Sequence, residues 1–129
     1  KGAQATALAI LLARKGKSKA EIRAELSTRF KYNLEQTLGQ IRPKYSFDVS
    51  CQGSVPQSIV AFLESEGVED AIRKAISLGG DSDTMACIAG AIAEAFYGQV
   101  PAAIEAEVRV RLPEEFLRVV DEFRREYGL

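Results

Sequence analysis

Gly79-Gly80-Asp81-Ser82-Asp83-Thr84, running directly into Met85-Ala86-Cys87-Ile88-Ala89-Gly90-Ala91-Ile92-Ala93-Glu94-Ala95, decides how this chain is read. The second segment predicts a helix from Thr84 to Tyr97, in which Ala86, Ala89, Gly90 and Ala93 recur every three to four residues and let neighbouring backbones come close. The first places two carboxylates and a hydroxyl at that helix's mouth. A helix N-terminus carries about half a positive charge, which offsets only part of the repulsion between Asp81 and Asp83. A bound cation would offset the rest, and oxygen-only donors suit Mg²⁺, Mn²⁺ or Ca²⁺ better than zinc. The competing account is a tight helix-to-helix turn, with glycines ending one helix and Asp or Thr capping the next. That account leaves the second carboxylate without a task. Local rules keep both open.

Working outward, the flanking segments also carry helical punctuation. Glu69 to Leu78 places Ala71, Ile72, Ala75 and Ile76 at helical spacing, with Gly79 as a left-handed C-terminal cap. Ser54-Val55-Pro56-Gln57 fits a capping box that opens a helix through Ile59, Val60, Phe62 and Leu63. Ser18-Lys19-Ala20-Glu21 fits another, followed by Ile22, Leu26 and Phe30 on one face. An Ala-rich helix with Leu8, Ile10, Leu11 and Leu12 precedes it and ends near Gly16. Tyr32 to Gly53 loses periodicity apart from a short helix at Glu35 to Ile41, leaving a long loop of the kind that often carries function. Past Gly98, Pro101 and Pro113 mark the first turns of two more helices, the last with Phe116, Leu117, Val120, Phe123 and Tyr127 as a core stripe. No strand alternation persists, so the expected fold class is all-α with about seven helices in one domain, residues 1–129.

Composition narrows the function classes. The chain has 129 residues, 47% of them hydrophobic, which is enough for one core and too few for a second. Its 17 basic and 18 acidic residues are evenly scattered, giving no basic surface for nucleic acid. No apolar run approaches the roughly 20 residues of a membrane span, and Lys1-Gly2-Ala3-Gln4 lacks a signal peptide's layout, so a soluble cytoplasmic protein is expected. Cys51 and Cys87 have no metal-ligand spacing and read as reduced thiols. There is no His, hence no imidazole base.

Spacing disposes of other Asp-x-Asp motifs. A calcium loop would need Asp or Asn at Met85, Gly at Ala86 and Glu at Ile92. An aspartyl-nucleophile phosphatase would put Asp81 at the end of a buried strand, yet Glu69 to Leu78 is helical. A phosphate loop would need a lysine after its glycines.

Ile76-Ser77-Leu78-Gly79-Gly80-Asp81-Ser82-Asp83-Thr84-Met85-Ala86, with Gly90-Ala91-Ile92-Ala93 and Tyr97-Gly98 behind it, closely resembles the C-terminal signature of the ADP-ribosylglycohydrolase family. Gly2-Ala3-Gln4-Ala5, Phe47-Asp48-Val49-Ser50-Cys51-Gln52 and Val55-Pro56-Gln57 extend the resemblance along the whole chain. It implies the family's all-α orthogonal helical fold, with two Mg²⁺ ions, Mn²⁺ being an alternative, in a cleft that hydrolyses the bond between ADP-ribose and a protein side chain. By the same carry-over, Asp81, Asp83 and Thr84 would be metal ligands. Gly80 would let the backbone approach substrate, and Ser50, Cys51 and Gln52 would lie on a loop beside it. The expected partners are an ADP-ribosylated protein or an ADP-ribose-like small molecule.

The family's N-terminal half supplies a Gly-rich opening segment, a Thr-Asp-Asp cluster with the remaining metal ligands, and an acid-base residue. None of these is found here, so no catalytic residue is assigned. The expectation is a C-terminal half, partnered as a homodimer or with an N-terminal half on another chain. Glu64, Glu66, Glu69 and Asp70 are spare acids and read as a solvated face. The alternative function is a non-catalytic binding or assembly module that keeps the fold.

Overall fold

The computed structural model describes residues 1–128. Its elements are α1 (Gly2–Arg14), α2 (Lys19–Phe30), α3 (Leu38–Ile41), a 3₁₀ turn (Arg42–Lys44), α4 (Cys51–Leu63), α5 (Val68–Ile76), α6 (Ser82–Tyr97), α7 (Ala102–Arg111) and α8 (Glu114–Tyr127). The described residues are thus all-α, with eight α-helices. They form two compact units, residues 1–99 and 100–128.

In the first unit α6 is the hub, packed against α1, α4 and α5. Small residues make this crowding feasible. Gly90 brings the α6 backbone so close to α5 that a Cβ there would lie 3.2 Å from Ile72 Cγ1. The buried face of α1 is Gly2, Ala5, Ala9 and Ala13, whereas Leu11 is exposed, so α1 docks through its alanines. Larger side chains fill the spaces between: Ile22 and Leu26 from α2, Ile59 and Phe62 from α4, Met85 and Ile92 from α6 are all fully buried. Each such side chain contributes roughly 1.5–3 kcal/mol of transfer free energy.

The start of α2 follows the sequence signal. Ser18 caps it by accepting from the Glu21 N–H at 3.3 Å, while the Ser18 N–H donates to Glu21 Oε2 at 2.9 Å. Lys19, in the first turn, joins three elements. Its ammonium lies 5.5 Å from the Phe62 ring centre, 5.7 Å from Phe96 and 5.5 Å from Tyr97, and donates to the Ser65 carbonyl. The Tyr97 hydroxyl donates to that same carbonyl at 2.6 Å. The clamp ties the first turn of α2 to the ends of α4 and α6, and such partly desolvated cation–π contacts are worth about 1–2 kcal/mol.

Two sequence expectations are corrected. The Ser54-Val55-Pro56-Gln57 box opens no helix: α4 begins at Cys51 with Ser50 as its cap, and Pro56 lies inside it. Ser50 prevails because its hydroxyl accepts from the Gly53 N–H at 3.1 Å, while the Ser54 hydroxyl donates to the Asp48 carbonyl at 2.9 Å instead. The stripe on α8 is not a core. Phe116, Val120, Phe123 and Tyr127 are exposed, and Leu117 is half-buried. A unit of two helices has no third layer to cover such a stripe. It is joined instead by the ion pairs Arg109–Asp121 at 2.8 Å and Arg124–Glu105. Pro101 and Pro113 sit at the caps of α7 and α8, one residue before the first turns.

This packing has two measurable consequences. Gly90→Val should destabilise the protein by about 1–3 kcal/mol in urea unfolding, because α5 cannot retreat without opening the core. The second concerns Glu21, whose carboxyl is held down at about 2 instead of the ordinary 4.5, first by its hydrogen bond with Lys17 and then by the Ser18 N–H and hydroxyl. A carboxyl lowered by folding stabilises above its unfolded value and loses that contribution as pH falls through its folded value. The difference in melting temperature between wild type and Glu21→Gln should therefore be full above pH 4.5 and close as pH approaches about 2.

Candidate functional site

Gly79 and Gly80 have φ of +77° and +70°. Two successive left-handed residues turn the chain sharply between α5 and α6, a conformation glycine adopts without a Cβ penalty. The turn delivers Asp81 to the cap position of α6, with Asp83 and Thr84 in its first turn. The Asp81 side chain makes no capping hydrogen bond to the helix, so its carboxylate is not consumed by the task that the tight-turn account would give it. Asp81 is half-buried, and Asp83 and Thr84 are exposed. The Asp83 carboxyl is held below the usual carboxylate range, chiefly by its contact with the Asp81 carboxyl and then by the N–H groups of Thr84 and of Asp83 itself.

A second loop lies beside this turn. Asp48 Oδ1 accepts from the Ser50 N–H at 2.7 Å, which presets the cap of α4. The Ser50 hydroxyl and N–H hold the Asp48 carboxyl below its ordinary value. Cys51 and Gln52, the first residues of α4, are exposed, and Ser50 is half-buried. Pro56 has no N–H to return to the Gln52 carbonyl, which leaves that acceptor without its helical partner. Cys51 also abuts α1: a Cβ on Gly2 would lie 3.0 Å from Cys51 Cβ and 3.2 Å from its Sγ.

Tyr45 joins the two loops, and sequence reasoning assigned it no role. Its hydroxyl donates to the Gly53 carbonyl at 2.8 Å and lies 3.2 Å from Met85 Sδ. Its ring occupies the space beside Gly80, where a Cβ would come within 2.7 Å of Cε1. The missing side chain of Gly80 therefore makes room for Tyr45. Burial raises the Tyr45 phenol above its ordinary value, and the nearby charges of Asp48 and Asp81 raise it further. The only advance signal was an aromatic residue in an aperiodic stretch, too common a pattern to single it out.

The structure thus places Gly80 in the turn before α6, Asp81 at its cap and Asp83 and Thr84 in its first turn, while Ser50 caps α4 and Cys51 and Gln52 open that helix instead of lying on the expected loop, with Tyr45 between the two helix starts. The donor set of the turn is two carboxylates and one hydroxyl, hard oxygens that fit Mg²⁺ or Mn²⁺ and fill about half of an octahedral shell. Among the described residues no group of three or more His, Cys, Asp or Glu side chains is gathered at one point. Three of the four spare acids are employed elsewhere. Glu64 accepts from the Leu38 N–H at 2.9 Å, Asp70 pairs with Lys74 at 2.5 Å and accepts from the Glu66 N–H at 2.8 Å, and Glu69 pairs with Arg73 at 2.6 Å. No helix among the described residues is long and apolar enough to cross a membrane.

The model of the ADP-ribosylglycohydrolase family matches residues 1–128. The chain belongs to the ADP-ribosylglycohydrolase family. Over 32 residues it is 59% identical to the ADP-ribosylhydrolase ARH3 of Danio rerio, a stretch that covers 25% of this chain and 9% of that protein. No solved structure matches this ADP-ribosylglycohydrolase-family chain.

Gly53 sets the spacing within the second loop, since a Cβ there would fall 2.6 Å from Asp48 Cβ and 2.1 Å from its Oδ2. Gly53→Ala must push the Asp48 backbone aside and break the preset of the α4 cap. Its expected cost is about 1–3 kcal/mol, measured by urea unfolding, because overpacking against a Cβ is not relieved by rotating a side chain.

Proposed function

We propose that this chain takes part in Mg²⁺-dependent hydrolysis of ADP-ribosyl bonds on protein side chains, with Asp81, Asp83 and Thr84 as metal ligands and Gly80, Ser50, Cys51 and Gln52 bordering the substrate. The observation that carries this reading is the Asp81 carboxyl at the cap of α6, which makes no capping hydrogen bond to the helix and lies against Asp83, in a chain of this family. When bound, the metal would orient ribose hydroxyls and a water while neutralising developing charge. Asp81 and Asp83 supply the negative charge that holds it, Thr84 adds a neutral oxygen, and the N-terminal dipole of α6 limits their mutual repulsion. The side chains of Ser50 and Gln52 offer donors and acceptors for ribose or phosphate oxygens from the start of α4.

A three-oxygen donor set also supports a second reading, a binding module whose single cation site is weak. Positioned acid–base catalysis is typically worth about 10²–10⁴ in rate, so the 129-residue chain alone should release ADP-ribose slowly under either reading, and the two separate when a family N-terminal half carrying the acid is added: a gain in rate supports the hydrolase reading, and none supports the binding module.

The metal reading is tested by thermal melting. Millimolar Mg²⁺ or Mn²⁺ should raise the wild-type melting temperature, because a ligand that binds only the folded state stabilises it by mass action. The Asp81→Asn, Asp83→Asn double variant should lose the response. Without metal its stability should change little, since the loss of like-charge repulsion and the loss of the Asp83 contacts with the Thr84 and Asp83 N–H groups oppose each other. Superimposable melting curves for both proteins, extended to about ten millimolar as the weak end of oxygen-ligand sites requires, would remove the metal assignment.

A further inference from the structure

We propose that Tyr45 is a positioning residue that braces the Gly79–Asp83 loop against the start of α4 and so fixes the carboxylates relative to Ser50, Cys51 and Gln52. The consequence for metal binding rests on the reading of Asp81, Asp83 and Thr84 given above; the bracing itself does not.

The loop is weak by itself. Gly79 and Gly80 are both left-handed, and consecutive glycines lose more conformational freedom on ordering than any other pair. Among the described residues no long-range hydrogen bond reaches residues 79 to 84; the bonds at its ends are local, from the Gly79 N–H to the Ile76 carbonyl at 2.9 Å and from the Met85 N–H to the Asp81 carbonyl at 3.0 Å. A loop so built needs support from outside. The ring of Tyr45 supplies it by filling the space that the absent Gly80 side chain leaves.

The hydroxyl then decides where that brace is anchored. It has one proton to give, and the Gly53 carbonyl, at 2.8 Å in the first turn of α4, is a stronger acceptor than the Met85 sulfur at 3.2 Å in the first turn of α6. One side chain therefore touches the motif loop, the first turn of α6 and the first turn of α4. Tyr45 lies just after the Arg42–Lys44 turn, whose Arg42 donates to the Ser77 hydroxyl at 2.8 Å, so its backbone is tied to the end of α5 as well.

The experiment compares wild type, Tyr45→Phe and Tyr45→Leu with Ile22→Val, a buried change on α2 that lowers stability without touching either loop. Mn²⁺ binding is titrated by electron paramagnetic resonance, and amide hydrogen exchange is followed at residues 80 to 85 in the metal-free proteins. Tyr45→Leu should weaken Mn²⁺ binding by about 10–100-fold, the range found for groups that orient metal ligands, and should accelerate exchange in the loop. Tyr45→Phe keeps the ring and should stay closer to wild type in both. Ile22→Val should melt earlier with both readouts unchanged. Wild-type exchange and Mn²⁺ affinity in Tyr45→Leu would overturn the proposal. If the wild-type protein itself binds no Mn²⁺, the metal reading falls and exchange alone decides Tyr45: faster in Leu than in Phe supports the brace, and no difference refutes it.

Discussion

The structure depends on the close approach of α6 to three neighbours. A helix with large side chains all round would hold α1, α4 and α5 at about 8–10 Å or more between axes. Gly90 against Ile72, together with the alanines of α1 and α6, permits the tighter contacts while Met85 and Ile92 fill the gaps. Three packing partners fix the body of α6, and the turn that leads into its first residues draws its support from Tyr45. A carboxylate on an unsupported helix end would share the fraying of that end.

Much of this was legible in the sequence because the signals were local. The Ser18–Glu21 box works as its residues predict, and Ile22, Leu26 and Phe30 are the buried face of α2. Gly79 is left-handed where a helix stop is expected, and the small-residue spacing of α6 marks a close-packed helix. The family resemblance carried by Gly79 to Ala86 matches the family to which the chain belongs.

What escaped sequence reading was decided by competition between neighbours. Ser50 and Ser54 are both competent caps, and the choice between them falls to Asp48, whose carboxylate fixes Ser50 and whose carbonyl takes the Ser54 hydroxyl. Pro56 then sits deeper in α4 than its usual first-turn place. The α8 stripe was misread for a different reason: amphipathic spacing reveals an apolar face but not whether anything covers it. Tyr45 lay in an aperiodic stretch, and its importance arises only when residues 35 and 40 positions away, Gly80 and Met85, fold onto it.

The Lys19 clamp has a bearing on the distant end of the molecule. It grips α6 near Tyr97, and α6 is a rod of sixteen residues whose fifteen steps of about 1.5 Å put Ser82 about 22 Å away. A rod pinned at one end translates any slip along its axis to the other undiminished. A shift of one ångström is enough to spoil the alignment of reacting groups. The aromatic grip on a single ammonium thus acts as a depth gauge: it sets how far the carboxylate-bearing tip projects, from the opposite end of the helix.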